Sequence, residues 1–129
     1  MQIHRLAGNP GRAGTSAVMA GDRGAWLSCY ADDAVLYDPV GGSPLDAQGA
    51  GVRGLDGLDR FWRQGIAPNQ VRFDVTAVHA AGDEAAVVAT VPIRFPNDGV
   101  FVCTINHDNQ VVSLRGYWDV QRVLSALSA

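Results

Sequence analysis

Two hydrophobic periods divide the chain. In the first half, apolar positions recur at helical spacing. Asp22 is placed to cap a helix over Arg23–Tyr30, in which Trp26, Leu27 and Tyr30 share a face. A weaker helix is predicted over Thr15–Met19, behind a loose lead-in of residues 1–14 rich in Gly, Pro and Arg. Ala31-Asp32-Asp33 forms the polar end of the capped helix, with both aspartates solvated. Ala34-Val35-Leu36-Tyr37 then makes a short strand. Asp38-Pro39 ends that strand, because Pro39 offers no ladder donor and pushes Asp38 into extended geometry. Five glycines between residues 41 and 54 indicate an exposed loop. A second amphipathic helix runs from Leu55 to Gln64, with Leu55, Leu58, Phe61 and Trp62 on one face. Asp56, Asp59, Arg60 and Arg63 take the other, and Gly65 is its stop.

After Pro68 the period falls to two. Val71, Phe73, Val75 and Ala77 alternate with Arg72, Asp74 and Thr76, the mark of a half-exposed strand. Gly82-Asp83 turns the chain into Ala85–Phe95, which is apolar on both faces and therefore central in a sheet. Pro96-Asn97-Asp98-Gly99 carries the Asp-Gly hairpin signal, Val100–Ile105 pairs back, and His107–Gln110 turns into a last strand over Val111–Val120. The tail, Gln121–Ala129, is compatible with a helix. Helices followed by a four-strand antiparallel meander define an α+β fold, with helices packed on one face of a curved sheet. Such a cone leaves a cavity, which Trp26, Tyr30, Trp62, Phe101 and Trp118 are placed to line.

Length and composition narrow the function. At 129 residues the chain is expected to form a single domain over 1–129. Hydrophobic residues make up 47% and charged residues 18%, which excludes intrinsic disorder. The net charge of −3 gives no general electrostatic reason to bind nucleic acid or an anionic membrane. No apolar run is long enough to span a bilayer, and the N-terminus lacks the compact apolar stretch of a signal peptide. Cys29 and Cys103 are then expected to be reduced and the protein cytoplasmic. All ten basic residues are arginine, so no Schiff-base or phosphate-loop lysine is available.

Several motifs lose to simpler readings. Gly49-Ala50-Gly51-Val52-Arg53-Gly54 fits G-x-G-x-x-G, with Asp74 twenty residues on. The dinucleotide fingerprint, however, needs a strand leading into the glycines and a parallel partner, whereas residues 43–48 read as a turn. His4, His79 and His107 show no convergence toward a metal, and no serine has a G-x-S-x-G setting. Asp38 differs. The two-residue period puts it on the same face as Leu36, pointing inward, where apolar surroundings would raise its pKa and make it a competent general base or acid.

The run Trp26-Leu27-Ser28-Cys29-Tyr30-Ala31-Asp32-Asp33-Ala34-Val35-Leu36-Tyr37-Asp38-Pro39-Val40-Gly41 resembles the signature of the ketosteroid isomerase-like proteins. The resemblance continues through Phe61-Trp62-Arg63-Gln64-Gly65-Ile66 to Arg115-Gly116-Tyr117-Trp118. It implies the cone-shaped nuclear transport factor two-like fold shared with SnoaL-like polyketide cyclases and with epoxide hydrolases. By this resemblance Asp38 matches the general base, Trp118 a pocket-wall tryptophan, Tyr30 a tyrosine supporting the oxyanion hole, and Trp62 the place of a second supporting tyrosine. The family's two oxyanion donors, a Tyr and a protonated Asp, fall near Gly14 and at about Phe101, so neither is present.

The resemblance therefore implies cyclisation or isomerisation of a bulky apolar polyketide- or steroid-like substrate, with Asp38 as base or acid and no cofactor or metal required. A steroid double-bond isomerase, an epoxide hydrolase with a second acid at Asp46, Asp98 or Asp108, and a non-catalytic carrier are the other readings. A homodimer is expected through the outer sheet face, with Val87, Val91 and Ile93 as its apolar surface.

Overall fold

A computed structural model describes residues 10–93 and 95–128. Six strands form one open mixed sheet in the order β2-β1-β6-β5-β4-β3. They are β1 (Tyr30–Tyr37), β2 (Val52–Arg53), β3 (Asp74–Ala81), β4 (Glu84–Ile93), β5 (Phe95–Ile105) and β6 (Val111–Tyr117). The helices are α1 (Pro10–Ala20), α2 (Arg23–Ser28), α3 (Gly54–Phe61) and α4 (Val120–Ser128). β3 to β6 form the expected antiparallel meander, and β1 joins β6 in parallel.

Several boundaries move, each for a local reason. Helix α1 is longer than predicted and takes in part of the supposed lead-in; residues 1–9 lie outside the described segment. Asp22 caps α2 by accepting from the Ala25 N–H, but α2 stops at Ser28. Tyr30 already belongs to β1, because Val111 N–H donates to Cys29 C=O at 2.8 Å and draws the chain onto β6. Asp32 and Asp33 are thus exposed strand residues within β1, in the stretch where pairing with β6 shifts register, and not a helix end. Gly65 does not stop the second helix: the chain continues through a π-helical turn, Trp62–Ile66, and a 3-10 turn, Ala67–Asn69. Leu45 packs where a Gly65 side chain would stand, its Cδ1 only 2.7 Å from a Cβ built there. β3 begins at Asp74, so Val71 and Phe73 precede the strand.

The Asp98-Gly99 pair makes no hairpin. It lies inside β5, opposite Thr90 and Ala89, and the reversal falls between Ile93 and Phe95. Strand pairing shows this: β5 continues unbroken against β4 from Gly99 opposite Ala89 to Phe95 opposite Ile93, and Gly99 does not adopt the positive φ of a turn glycine. The glycine sits in extended strand backbone and supplies no turn. The glycine-rich stretch is fastened at both ends of its loop. The Asp46 carboxylate accepts from the Ala50 and Gly51 N–H groups, and β2 pairs antiparallel with β1, which removes the βαβ context that a dinucleotide site needs.

Inner-face residues build the core. Ala34, Leu36, Leu58, Ala85, Cys103 and Val111 are nearly or wholly inaccessible, packed with Trp26, Tyr30 and Trp62. Val87, Ala89 and Phe101 extend the core toward the other end of the sheet, with Phe73 set edge-on to Phe101 at 5.5 Å. Val87 and Val91 therefore face inward, correcting their assignment to the outer face. Alternation along β4 and β5 gives the outer face instead to Ala86 and Val88, opposite Val102 and Val100.

Candidate active site

The concave face of the sheet and the helices enclose a cavity of about 550 Å³, within the ~300–1,000 Å³ usual for small-molecule sites. Of the expected site residues, Trp26, Tyr30, Asp38, Phe101 and Trp118 line it. Trp62 does not. The turn that begins there sends Trp62 into the core, where its ring packs on Trp26 at 5.4 Å, while Phe61 takes the cavity side.

Three local constraints position Asp38. It follows β1 directly, in a cis peptide with Pro39, and its face matches that of buried Leu36. The Val40 N–H donates to Gly116 C=O at 2.8 Å, fastening the turn to β6. The Trp118 indole N–H then donates to Asp38 Oδ1. Gly116 makes this approach possible: a Cβ there would lie 2.6 Å from Asp38 Oδ1 and 3.2 Å from both Trp118 Nε1 and the Phe101 ring. Sequence reasoning passed over Gly116 as part of a motif, although a glycine within a strand signals close approach of another group.

Burial dominates the electrostatics. It pushes the Asp38 carboxyl from its ordinary 3.8 up to about 6, with the Trp118 hydrogen bond opposing. A carboxyl poised there is mostly ionised at neutrality, ready to accept a proton, and can return it readily. Among the described residues, Asp38 is the only acid lining the cavity. Asp46 is engaged by backbone N–H groups of its own loop, Asp98 bonds Thr90 on the outer face, and Asp108 is exposed in a turn. None can serve as a second acid beside Asp38.

The rest of the cavity wall is mostly apolar, with Leu36, Phe73, Val87 and Leu114 adding to the aromatic residues, and with polar side chains from Thr15, Gln64, Asn69, Arg72 and Asn97. The four apolar residues were not singled out as site residues, because alternation marks an inward face without telling core from cavity wall. Among the described residues, no group of three or more His, Cys, Asp and Glu could hold a metal ion. His79 and His107 are exposed; His4 lies outside the described segment. No helix is long and apolar enough to cross a membrane.

An α+β cone with an apolar cavity and one inward carboxylate defines a recognisable class of small domain. Residues 12–118 match the SnoaL-like domain, and the chain belongs to that family. It is 30% identical over 107 residues to the steroid Delta-isomerase of Nocardioides simplex, covering 79% of this chain and 80% of that one. Among solved structures, it is similar to the Delta 5-3-ketosteroid isomerase of a Mycobacterium species (30% identity, TM-score 0.78, covering 87% of this chain and 92% of that one). It is also similar to RV0760c of Mycobacterium tuberculosis, solved in complex with estradiol-17beta-hemisuccinate (28% identity, TM-score 0.79, covering 87% and 92%). The fold is the ketosteroid isomerase-like, nuclear transport factor two-like cone.

Proposed function

We propose that this protein is an isomerase or cyclase acting on a bulky, mostly apolar carbonyl compound of the steroid or polyketide type, with Asp38 as the general base. The observation that carries this reading is a single carboxylate among the described residues of a mostly apolar cavity, raised to about 6 by its burial. Such a group can take a proton from carbon beside a carbonyl and return it elsewhere, while the walls hold the reacting parts of the ligand together. Orientation of that kind contributes about 7–11 kcal/mol to such reactions. The kinship with steroid isomerases supports a steroid-sized ligand. Epoxide opening is disfavoured, since Asp38 has no acidic partner among the described lining residues.

The test is conversion of an unconjugated steroid enone, followed by the rise in ultraviolet absorbance as the double bond becomes conjugated. Turnover that disappears in Asp38→Asn supports the reading. Tight steroid binding with no product from steroid or polyketide substrates would mark the protein as a carrier. A homodimer through the Ala86, Val88, Val100 and Val102 face belongs to the same proposal; sedimentation at 13.6 kDa across working concentrations would refute it.

A further inference from the structure

The cavity is electrically asymmetric. Among the described lining residues two side chains are charged, Asp38 and Arg72. Asp38 lies where β1 ends, against the Trp118 indole and the Gly116 backbone, and is desolvated. Arg72 is exposed at the mouth, between the 3-10 turn Ala67–Asn69 and the start of β3 at Asp74. In the sheet β1 and β3 are four strand spacings apart, about 19 Å measured along it. Aromatic rings bridge that span. A Cβ at Gly116 would lie 3.2 Å from the Phe101 ring, and Phe73, the residue after Arg72, packs edge-on to the same ring at 5.5 Å.

The Arg72 guanidinium is uncommitted. It makes no hydrogen bond and no ion pair with any described residue, whereas Arg23 and Arg63 are both paired with Asp59. Gln64 and Gln70, exposed on the same rim, likewise make no side-chain hydrogen bond with a described residue. A guanidinium presents N–H donors in a planar fork, the arrangement that grips a carboxylate through two parallel hydrogen bonds. Near Asp38 the physics is opposite. A second carboxylate there would be desolvated by the apolar wall and repelled by the first. The net charge of −3 gives the protein no general attraction for anions, so a preference for one must arise locally.

We propose that the ligand carries a carboxylate at the end remote from its reacting carbonyl, and that Arg72, with the Gln64 and Gln70 amides, holds this carboxylate at the mouth so that the carbonyl end meets Asp38. The inference rests on the proposed isomerase or cyclase reading and names its substrate class as keto or enone acids. A ligand turned end for end brings its carboxylate to Asp38 and leaves Arg72 unpaired. Arg72 is thus a specificity and positioning residue, and takes no part in proton transfer.

The experiment measures binding of 3-oxo-4-androstene-17β-carboxylic acid and of its methyl ester, which share rings and enone and differ in charge at the far end. At neutral pH and low salt the parent should bind the acid at least about fivefold more tightly than the ester, and high salt should erode the preference. Arg72→Gln should bring the acid-to-ester ratio to about one, and Arg72→Glu should reverse it in favour of the ester. Arg72 is exposed, so neither substitution enters the core. Equal binding of acid and ester by the parent, or a preference for the acid that survives in Arg72→Glu, would overturn the assignment. If the ester binds and its unconjugated isomer is turned over while the acid is not preferred, the carboxylate inference falls and the isomerase reading stands. If the parent binds neither ligand, both fall.

Discussion

Replacing Asp38 by Asn should abolish proton transfer and at the same time stabilise the fold. The Asp38 carboxyl titrates near 6 in the folded protein against an ordinary 3.8, because burial penalises its charged form. Between about pH 4 and 6 the folded protein thus keeps a proton that the unfolded chain has lost. Stability contributed by this group is fully present below about pH 4 and is lost as pH rises through 6. The loss, evaluated above pH 7, is about 3 kcal/mol. Asn keeps the shape and its Oδ1 can accept the same Trp118 N–H, but it carries no charge to desolvate. Urea unfolding of both proteins from pH 4 to pH 8 measures the difference. The two curves should nearly coincide at pH 4 and diverge until the Asp38→Asn variant leads by about 3 kcal/mol at pH 8, or about 10 °C in Tm for a chain of this size. A variant that is no more stable than the parent at pH 8, or a gap that does not widen with pH, would show that the carboxylate is not desolvated and would remove the reason for its raised pKa.

The other predictions address the supports of that site. Gly116→Ala places a methyl 2.6 Å from Asp38 Oδ1; it should cost about 1–3 kcal/mol and about 100-fold in turnover, with wild-type activity refuting the packing account. Trp118→Phe removes the hydrogen bond that holds the Asp38 pKa down, so the acid limb of the pH–rate profile should move up by about one pH unit. A limb that stays in place would show that the indole bond is not felt. Leu58 is 0% exposed on the inner side of α3, and Leu58→Ala should destabilise the fold by about 2–5 kcal/mol in chemical unfolding without moving the pH profile.

What the sequence determined by itself was the alternation of burial. Helical spacing around Trp26 and Leu58, and the two-residue period through β4 and β5, state which faces turn from water, and those faces dictate helices on a curved sheet. Asp38 was legible for the same reason: it sits two residues after Leu36 and cannot extend the strand through Pro39. Tertiary structure decided what local signals could not. Asp98-Gly99 has the chemistry of a turn, yet both residues pair with Thr90 and Ala89 inside the β4–β5 ladder, and the turn moved to the end of β4. Trp62 and Tyr30 fall equally within the aromatic pattern, but the π-helical turn at Trp62 carries its ring into the core, whereas pairing with β6 draws Tyr30 onto the sheet beside the cavity. The contact that matters most, Asp38 with Trp118 across Gly116, joins residues eighty positions apart. Spacing along the chain carries no information about such an approach; it exists only because parallel pairing of β1 with β6 brings the two segments together.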